Sequence, residues 1–330
     1  MDNQTSNKGA ASGRSLMSRI IGYKFSGILG ALILICAVTG IANPQFFRMS
    51  NIFDMLRSIA FDSAVGIGMT FALMAAGIDF SIGAVLCLTG ILTAMILQTG
   101  IPVWLGVLIG LMVGAGCGLI NGALIVYLKL PALIVTVGTM NVFNGIGYVI
   151  TNATPVYPVP DAFKVIGQGS IGGMSYTIFI VIVFLFLADF VVKRTTFGRR
   201  VLAVGGNEET ARLAGINVNV TKLLVYVIVS FMAGIYGIML TSRFGSAQPN
   251  AGSDVAMTVI AAVVIGGTST YGGYGSIWGT VIGAAIMNVL TTAMVLLSVS
   301  VYWQDVVTGV IMLAAIAMDT LRRIRAGGMK

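Results

Sequence analysis

Residues 103–127 read VWLGVLIGLMVGAGCGLINGALIVY and contain no charged side chain. An α-helix rises about 1.5 Å per residue, so a run of about 20 apolar residues crosses a hydrocarbon core about 30 Å thick. Glycine recurs at every fourth position of this run, at Gly106, Gly110, Gly114, Gly118 and Gly122. These glycines share one helix face, and small residues at this spacing let a second backbone approach closely in lipid. The run therefore predicts a membrane-spanning helix with a glycine packing face.

Apolar runs of similar length recur along nearly the whole chain. Of its 330 residues, 57% are hydrophobic and 9% are charged, whereas soluble domains carry about 25% charged residues. A membrane β-barrel would show alternating segments of about ten residues, a pattern that this sequence lacks. We therefore predict an all-α polytopic membrane protein with about ten transmembrane helices. The predicted spans are residues 25–42, 52–76, 81–99, 103–127, 132–151, 175–192, 222–242, 254–268, 277–299 and 302–319.

The first 24 residues are polar and basic and precede the first apolar run. A cleaved signal peptide is one interpretation, because Gly40-Ile41-Ala42 resembles a cleavage site. The polar leader and the apolar run are both long for a signal peptide, however. We therefore predict a retained first helix that starts from a cytoplasmic N-terminus.

The positions of the basic residues support this topology. With the N-terminus inside and ten spans, 15 of the 19 basic residues fall in cytoplasmic segments. They are Lys8, Arg14, Arg19, Lys24, Lys129, Lys193, Arg194, Arg199, Arg200, Arg212, Lys222, Arg322, Arg323, Arg325 and Lys330. Lys and Arg are enriched on the cytoplasmic side of membrane proteins, so the net charge of +8 is explained without nucleic-acid binding.

The topology divides the chain into a cytoplasmic N-terminal tail (1–24), a transmembrane domain (25–319) and a cytoplasmic C-terminal tail (320–330). Two longer polar loops interrupt the domain, at residues 152–174 outside and 193–222 inside. Loops on a rigid scaffold usually carry recognition. We therefore predict that both loops contact partner molecules.

The composition excludes several kinds of catalytic site. The chain has no histidine, which removes Ser-His-Asp and Cys-His arrangements and any His-ligated metal site. Cys36, Cys87 and Cys117 lie far apart inside apolar runs and are predicted to pack as small hydrophobic residues. No GxxxxGK[ST] motif occurs, so the chain does not bind ATP through a loop of that kind. We predict no catalytic residue, no metal site and no cofactor in this chain.

A second glycine series occurs in the ninth span, at Gly275, Gly279 and Gly283. The two glycine series lie on the fourth span of each successive group of five. Because five is odd, the two groups would enter the membrane from opposite sides. The pattern predicts a five-plus-five inverted repeat, an arrangement that many transporters have.

Two carboxylates lie at membrane depth, where ionisable groups are costly and suggest function. Asp62 lies inside the second span and is a candidate for a translocation pathway. Asp79 lies in GIDFSIG, residues 77–83, between two apolar runs. Since it precedes Ser81 at a predicted helix start, a turn or helix cap is favoured for Asp79 over a gating role.

The fifth span is more polar than its neighbours. It contains Thr136, Thr139, Asn141 and Asn144, together with three glycines. Neutral hydrogen-bonding groups on a glycine-interrupted helix suit the lining of a passage for an uncharged polyhydroxyl solute. Hydrogen bonds that only hold neighbouring helices together are the alternative interpretation.

The inside loop contains GRRVLAVGGNEETARLAGINV, residues 198–218. Gly205 and Gly206 are predicted to turn the chain, and Asn207 to cap a short helix over residues 208–213. The carboxylates in the first turn of that helix interact favourably with its dipole. Charge alone leaves open whether this helix faces a partner or only solvent.

Six segments in order resemble the membrane permeases of ribose-type ABC sugar importers, over about residues 45–320. They are GMTFALMAAGIDFSIGAVLCLTG (68–90), GLINGALIV (118–126), GRRVLAVGGNEETARLAGINV (198–218), SAQPNAG (246–252), AAVVIGGTSTYGGYGSIWGTVIGA (261–284) and YWQ (302–304). Phe80 and Ile82 stand where the family commonly has Leu and Val, which are conservative differences. Asp79 is kept.

The resemblance implies a non-catalytic permease subunit in a bacterial cytoplasmic membrane. A second permease subunit, a cytoplasmic ATPase that binds ATP and Mg²⁺, and an extracytoplasmic sugar-binding protein would be its partners, and a monosaccharide its substrate. It also implies that the inside loop is the coupling helix that the ATPase holds. The coupling residues are then Gly205, Gly206, Asn207, Glu208, Ala211, Arg212 and Gly215.

The main alternative is a self-sufficient secondary transporter that couples sugar to protons or sodium. The inside loop and the shortage of buried carboxylates favour the ATP-driven importer. An intramembrane enzyme has no candidate nucleophile and base in this sequence. Ribose is the closest single substrate, although related permeases for pentoses, hexoses and polyols share these segments.

Overall fold

The computed structural model describes residues 26–325, which form a bundle of α-helices. The helices are α1 (Ser26–Ala42), α2 (Met49–Met74), α3 (Ile82–Gln98), α4 (Val103–Tyr127), α5 (Ala132–Thr151), α6 (Asp161–Gln168), α7 (Tyr176–Arg194), α8 (Thr196–Gly206), α9 (Glu208–Leu213), α10 (Val218–Phe244), α11 (Val255–Ile265), α12 (Ile277–Leu296) and α13 (Val301–Arg325). The predicted tail 1–24 and its basic residues lie outside the described residues. The apolar run of the signal-peptide alternative forms α1, and the fold does not test whether it is cleaved.

Seven of the helices within residues 26–325 are long and apolar enough to cross a membrane: α2, α4, α5, α7, α10, α12 and α13. Three further apolar stretches are shorter, at Leu32–Ala42, Ile82–Gln98 and Val255–Ile265. The predicted all-α membrane class is confirmed. The predicted number of ten spans is not, because it counts these shorter stretches as spans.

The two largest differences from the predicted helix boundaries, of four residues or more, are in α10 and α13. Helix α10 begins at Val218 and not near residue 222, because the Asn217 side chain accepts a hydrogen bond from the Val220 amide and caps the helix. Helix α13 continues to Arg325, so part of the predicted C-terminal tail is helical. In both cases the helix extends beyond the apolar run, at its start in α10 and at its end in α13.

Helices α2 and α10 form the centre of the bundle and pack against each other. Helix α10 also contacts α3 and α4, while α2 also contacts α11 and α12. A hydrogen bond of 2.6 Å between the hydroxyls of Thr70 and Thr280 joins α2 to α12. Large apolar side chains such as Phe71, Met69 and Met239 are fully buried at this centre.

An irregular segment, residues 75–81, joins α2 to α3 within the bundle. Gly237, whose Cβ position would meet the Leu86 backbone, lies 19 residues along α10, which is about 28 Å of helix rise. Helix α3 therefore begins deep in the bundle. Irregular backbone at membrane depth is tolerated only where it is buried in protein or lines a cavity.

The two ends of the bundle carry different small elements. At one end lie α6 and a hairpin of β1 (Ser170–Ile171) and β2 (Met174–Ser175), which covers much of the predicted outside loop. Gln98, at the end of α3, donates a hydrogen bond of 3.0 Å to the Pro158 carbonyl there. Helices α8 and α9 lie at the other end, beside the end of α2. We call these the α6 end and the α8 end.

Candidate functional site

The glycine series of α4 faces α10 and α3. A Cβ on Gly114 would lie 2.9 Å from the Ser230 carbonyl oxygen, and one on Gly118 would lie 2.7 Å from the Val227 Cα. Nearer the α6 end, Gly110 instead abuts the Thr93 side chain of α3. Close backbone contact of this kind is available only to residues without a side chain.

The second series is only partly helical. Gly275 precedes the first residue of α12, so the expectation that it belongs to the ninth span is wrong. Gly283 abuts the Ala262 carbonyl of α11. Helix α12 begins only after Gly275, because the Ser276 side chain caps the helix by accepting a hydrogen bond of 3.1 Å from the Gly279 amide.

Asp79 is fully buried in the irregular segment 75–81. Its Oδ1 accepts hydrogen bonds from the Ser81 amide at 2.8 Å and from the Ser81 hydroxyl at 2.6 Å. Asn121 of α4 donates to the Ser81 hydroxyl at 2.8 Å and lies 3.4 Å from Asp79 Oδ2. This is the geometry of a turn that precedes a helix and that a neighbouring helix holds in place.

Asp62 has a different environment, in the middle of α2. Its Oδ2 accepts a hydrogen bond of 2.6 Å from the Asn288 side chain of α12, and the residue as a whole is half-buried. Asn288 also donates to the Ala284 carbonyl at 3.0 Å. The pair thus presents a carboxylate and an amide, which both form hydrogen bonds with hydroxyl groups, from two facing helices.

Aromatic and cationic groups lie next to Asp62 toward the α6 end. The rings of Phe61 and Tyr236 are 5.2 Å apart, and the Arg243 guanidinium lies 5.8 Å from the Phe61 ring centre. Asp54 lies 3.5 Å from Arg57 and 3.9 Å from Arg243, so one carboxylate faces two guanidinium groups. A ladder of polar and aromatic groups therefore runs along the α2–α10 interface to this end.

The polar residues of α5 do not lie beside Asp62. Helix α5 contacts α3 and α4, whereas Asp62 bonds to α12. Thr136 and Thr139 are buried, Asn144 is partly exposed and Asn141 is exposed. The glycines of α5 also do not interrupt it, contrary to the expectation, since the helix is continuous over its twenty residues.

At the α8 end, Gly205 and Gly206 do not turn the chain, so that expectation is wrong. Both belong to α8, and the chain turns at Asn207, whose backbone is extended. Gly205 instead abuts the Met74 carbonyl at the end of α2, and its Cβ would lie 2.8 Å from the Gly273 amide. The Gly273 amide itself donates a hydrogen bond of 3.0 Å to Met74. Helix α8 therefore contacts both the end of α2 and the loop that precedes α12.

Helix α9 has the predicted bounds, Glu208–Leu213, and Asn207 caps it through the Thr210 amide at 2.8 Å. Glu208 pairs with Arg212 at 3.3 Å and with Lys222 of α10. Ala211 is buried in a small apolar cluster with Val204 and Val218. Leu213, in contrast, is 84% exposed. The helix is thus fixed to α8 and α10 by one face and leaves the other free for contact.

Two residues of these networks were not predicted, Asn121 and Asn288. Each is a single amide inside an otherwise apolar run, in VWLGVLIGLMVGAGCGLINGALIVY and IWGTVIGAAIMNVLTTAMVL. A lone amide in an apolar run usually has a partner on another helix, and this signal could have found them.

At the α6 end, Lys164 donates a hydrogen bond of 2.7 Å to Asp161 in the first turn of α6. The Lys164 ammonium holds the pKa of the exposed Asp161 carboxyl below its usual value. This end of the molecule is therefore charged at neutral pH, with both signs present on α6.

Comparisons with known proteins match the chain over most of its length. A family model described as "Branched-chain amino acid transport system / permease component" matches residues 51–316. This range runs from the first turn of α2 into α13 and includes Asp62, Asp79 and helices α8 and α9. No solved structure matches the chain.

Several curated proteins are similar to the chain. The ribose import permease protein RbsC of Haemophilus influenzae is 38% identical over 293 residues, which cover 88% of this chain and 91% of that protein. The D-allose transport system permease protein AlsC of Escherichia coli is 35% identical over 89% of this chain and 91% of its own length. The L-arabinose ABC transporter permease protein AraH of Azospirillum brasilense is 33% identical over 92% of this chain and 90% of its own length.

Proposed function

We propose that this chain, which belongs to the family of branched-chain amino acid transport system / permease components, is the translocation subunit of an ATP-driven monosaccharide importer. The resemblance seen in the six motifs is confirmed by the family match and by the relatives. The relatives are named as permeases for ribose, D-allose and L-arabinose, all of them sugars. The sugar substrate is therefore favoured over a branched-chain amino acid.

The observation that supports this function most directly is the contact of α8 with the end of α2 and with the loop that leads into α12. Gly205 abuts Met74 at the end of α2 and Gly273 before α12. Helix α9 is fixed to α8 and α10 through Ala211 and its apolar neighbours. A force applied to α9 would thus reach α2, α10 and α12 together.

The source of that force in this proposal is a partner ATPase, which binds ATP and Mg²⁺ and holds α9. Its contact surface comprises Asn207, Glu208, Arg212 and the exposed Leu213, followed by Gly215 at a positive φ of 80°. ATP-driven closure of the partner would move α9 and bias the permease between outward-open and inward-open states. The chain itself has no catalytic role and needs no cofactor.

The passage in this proposal includes the Asp62–Asn288 pair. It lies between α2, whose end α8 contacts, and α12, which follows the loop that α8 contacts. A carboxylate and an amide that are partly exposed can exchange their mutual hydrogen bond for hydrogen bonds to sugar hydroxyls. Asn141 and Asn144 of α5 are available to the solute or to a second permease subunit. Thr136 and Thr139 are buried, and the Thr136 hydroxyl lies 3.5 Å from the Ile78 carbonyl oxygen in the segment before α3.

The proposed topology has ten spans, with both termini and the α8 end in the cytoplasm of a bacterial cell. The α6 end then faces outward and receives the extracytoplasmic sugar-binding protein. The short α3 and α11 count as spans because irregular segments, residues 75–81 and 245–254, complete their passage. A second permease subunit would complete the passage.

An inverted repeat is supported by the contacts between helices. The first group is α1 to α5, and the second is α7 and α10 to α13. The contacts of α2 with α12 and α11 correspond to those of α10 with α4 and α3. Those of α3 with α4 and α5 correspond to those of α11 with α12 and α13. Superposition of α2–α5 on α10–α13 by a twofold axis in the membrane plane tests the inverted repeat. Failure to align α4 with α12 would contradict the repeat.

Uptake by reconstituted vesicles tests the function. Vesicles that contain the chain, the cognate ATPase and the binding protein should accumulate labelled ribose or a related monosaccharide only when ATP is supplied. The matched control contains the chain alone under a proton or sodium gradient. Uptake in that control would establish the secondary transporter and contradict the importer.

A further inference from the structure

A cavity of about 740 Å³ opens at the α8 end, between the end of α2, the turn that joins α4 to α5, and the α9–α10 corner. Cavities of about 300–1,000 Å³ are typical of ligand sites. Its residues are not part of the Asp62–Asn288 passage, and the coupling surface shares only Glu208 and Arg212 with it. The cavity is therefore largely separate from both proposed sites.

The charged side chains that line the cavity are mainly basic. They are Lys129, Arg212 and Lys222, with Glu208 as the acidic member. Glu208 is already paired with Arg212 and Lys222, whereas Lys129 has no ion pair within residues 26–325. The lining thus carries a net charge of +2, which a bound anion would neutralise.

The backbone strengthens the preference for an anion. Pro131 and Ala132, at the start of α5, and Val218 and Asn219, at the start of α10, also line the cavity. Neither helix has an acidic residue in its first turn. The amino end of a helix carries a partial positive charge that favours anions such as phosphate.

The rim of the cavity on the α5 side is apolar. Ile125, Val126 and Leu130 line this wall. Next to it, Leu128, which directly follows α4, and Leu133 of α5 are 61% and 54% exposed, and both helices are apolar enough to span a membrane. A ligand with a phosphate group in the basic cavity could therefore lay an acyl chain along this exposed surface.

We propose that this cavity binds the phosphate of an anionic phospholipid from the membrane leaflet on the α8 side. Basic pockets between transmembrane helices on the cytoplasmic side are suited to such head groups. The phosphate would pair with Lys129 and with Arg212, which is shared with α9. Lipid binding would then compete with Glu208 for Arg212 and alter how firmly α9 is held.

The test measures the thermal unfolding midpoint of the purified full-length chain in detergent. Phosphatidylglycerol, phosphatidylcholine and inorganic phosphate are titrated separately. Phosphatidylglycerol should raise the midpoint in a saturable and salt-sensitive manner, and phosphatidylcholine should not. The proposal rests on the proposed orientation, but this measurement uses no transport, so its outcome is separate from that of the uptake assay.

Two variants assign the site. Lys129→Asn suits the positive φ of 54° at this position and should weaken phosphatidylglycerol binding about fivefold, and Lys129→Asn with Arg212→Gln about 25-fold. Arg200→Gln is the matched control, because it removes one exposed basic group of α8 outside the cavity. It should change the affinity less than twofold.

Four outcomes overturn the proposal. Equal stabilisation by both lipids would show that charge is not recognised, and equal effects of Lys129→Asn and Arg200→Gln would show that the cavity is not the site. Stabilisation by inorganic phosphate alone would assign the cavity to a soluble phosphate. If neither phosphate source binds and Lys129→Asn weakens assembly with the ATPase, the cavity is a protein contact.

Discussion

Asp79 and Asp62 are both carboxylates within the apolar bundle, but their surroundings differ. Asp79 is fully buried in an irregular segment, and its partners Ser81 and Asn121 are buried with it. Asp62 is partly exposed in the middle of a regular helix and bonds to one amide, Asn288. A buried and satisfied group stabilises a conformation, whereas a partly exposed one can exchange its partner for a ligand.

The difference shows that depth in the membrane does not by itself make a carboxylate a transport residue. Asp79 is needed where α3 begins, because the Ser81 amide in the irregular segment has no helical hydrogen-bond acceptor and donates to the Asp79 carboxylate instead. Asp62 is not needed by its helix, since the backbone of α2 is continuous around it. We therefore expect stability to depend on Asp79 and transport to depend on Asp62.

Asp79→Ala should have the largest effect. The substitution leaves the amide and hydroxyl of Ser81 buried without their acceptor, which should lower the free energy of unfolding by about 2–4 kcal/mol. Asp79→Asn keeps an acceptor oxygen and should lose less. Thermal unfolding of both variants in detergent measures this, and an Asp79→Ala chain as stable as the natural one would assign Asp79 a gating role.

Gly118→Leu should have the next largest effect, on the same network. Its side chain would meet the α10 backbone near Val227 and push α4 away, and Asn121 would move with it. Overpacking of this kind costs about 1–3 kcal/mol. Gly116→Leu is the matched control, because a Cβ on Gly116 has no neighbour within 4 Å. Equal unfolding midpoints for the two variants would contradict the packing face.

Reversal of charge on α9, by Glu208→Arg with Arg212→Glu, should act on transport and leave the fold intact. The variant keeps an ion pair between positions 208 and 212 and loses the pair of Glu208 with Lys222. Exposed ion pairs contribute about 0–1 kcal/mol each to stability, so the unfolding midpoint should fall only slightly. Wrongly placed charges at an interface cost several kcal/mol, so ATP-driven uptake should fall at least about tenfold. Membrane insertion and the ATPase rate of the assembled complex are measured together. Unchanged coupling would show that α9 is a solvated connector.

Asp62→Ala should have the smallest effect on the fold and a selective effect on transport. Asn288 keeps its bond to the Ala284 carbonyl, so no buried donor is left without a partner. Loss of one hydrogen bond between a charged group and a sugar hydroxyl should raise the KM of uptake about tenfold. The neighbouring Ser63→Ala is the control, since the Ser63 hydroxyl is buried and has no partner among the described residues. An unchanged KM in both variants would contradict the proposal that Asp62 binds the sugar in the passage.

The sequence predicts the helices of this protein well, because lipid makes long apolar runs helical wherever they occur. It also predicts α9 to the residue, since Asn207 and the acidic first turn mark its start. The prediction fails at Gly205 and Gly206, where glycine suggests a turn. Both glycines continue α8, and Gly205 lacks a side chain where the helix backbone contacts Met74.

Composition and local spacing are enough to predict the class of the protein, the approximate places of its membrane helices and the two carboxylates at membrane depth. These depend on composition and on spacing along one helix. Only the tertiary structure decides that Asp79 bonds to Ser81 and Asn121, that Asp62 bonds to Asn288 226 positions away, and that α8 contacts both α2 and the loop before α12. Apolar runs of similar hydropathy do not specify their neighbours, because lipid and protein are equally apolar to them. The partners are chosen by close backbone contacts and by scarce hydrogen bonds between helices.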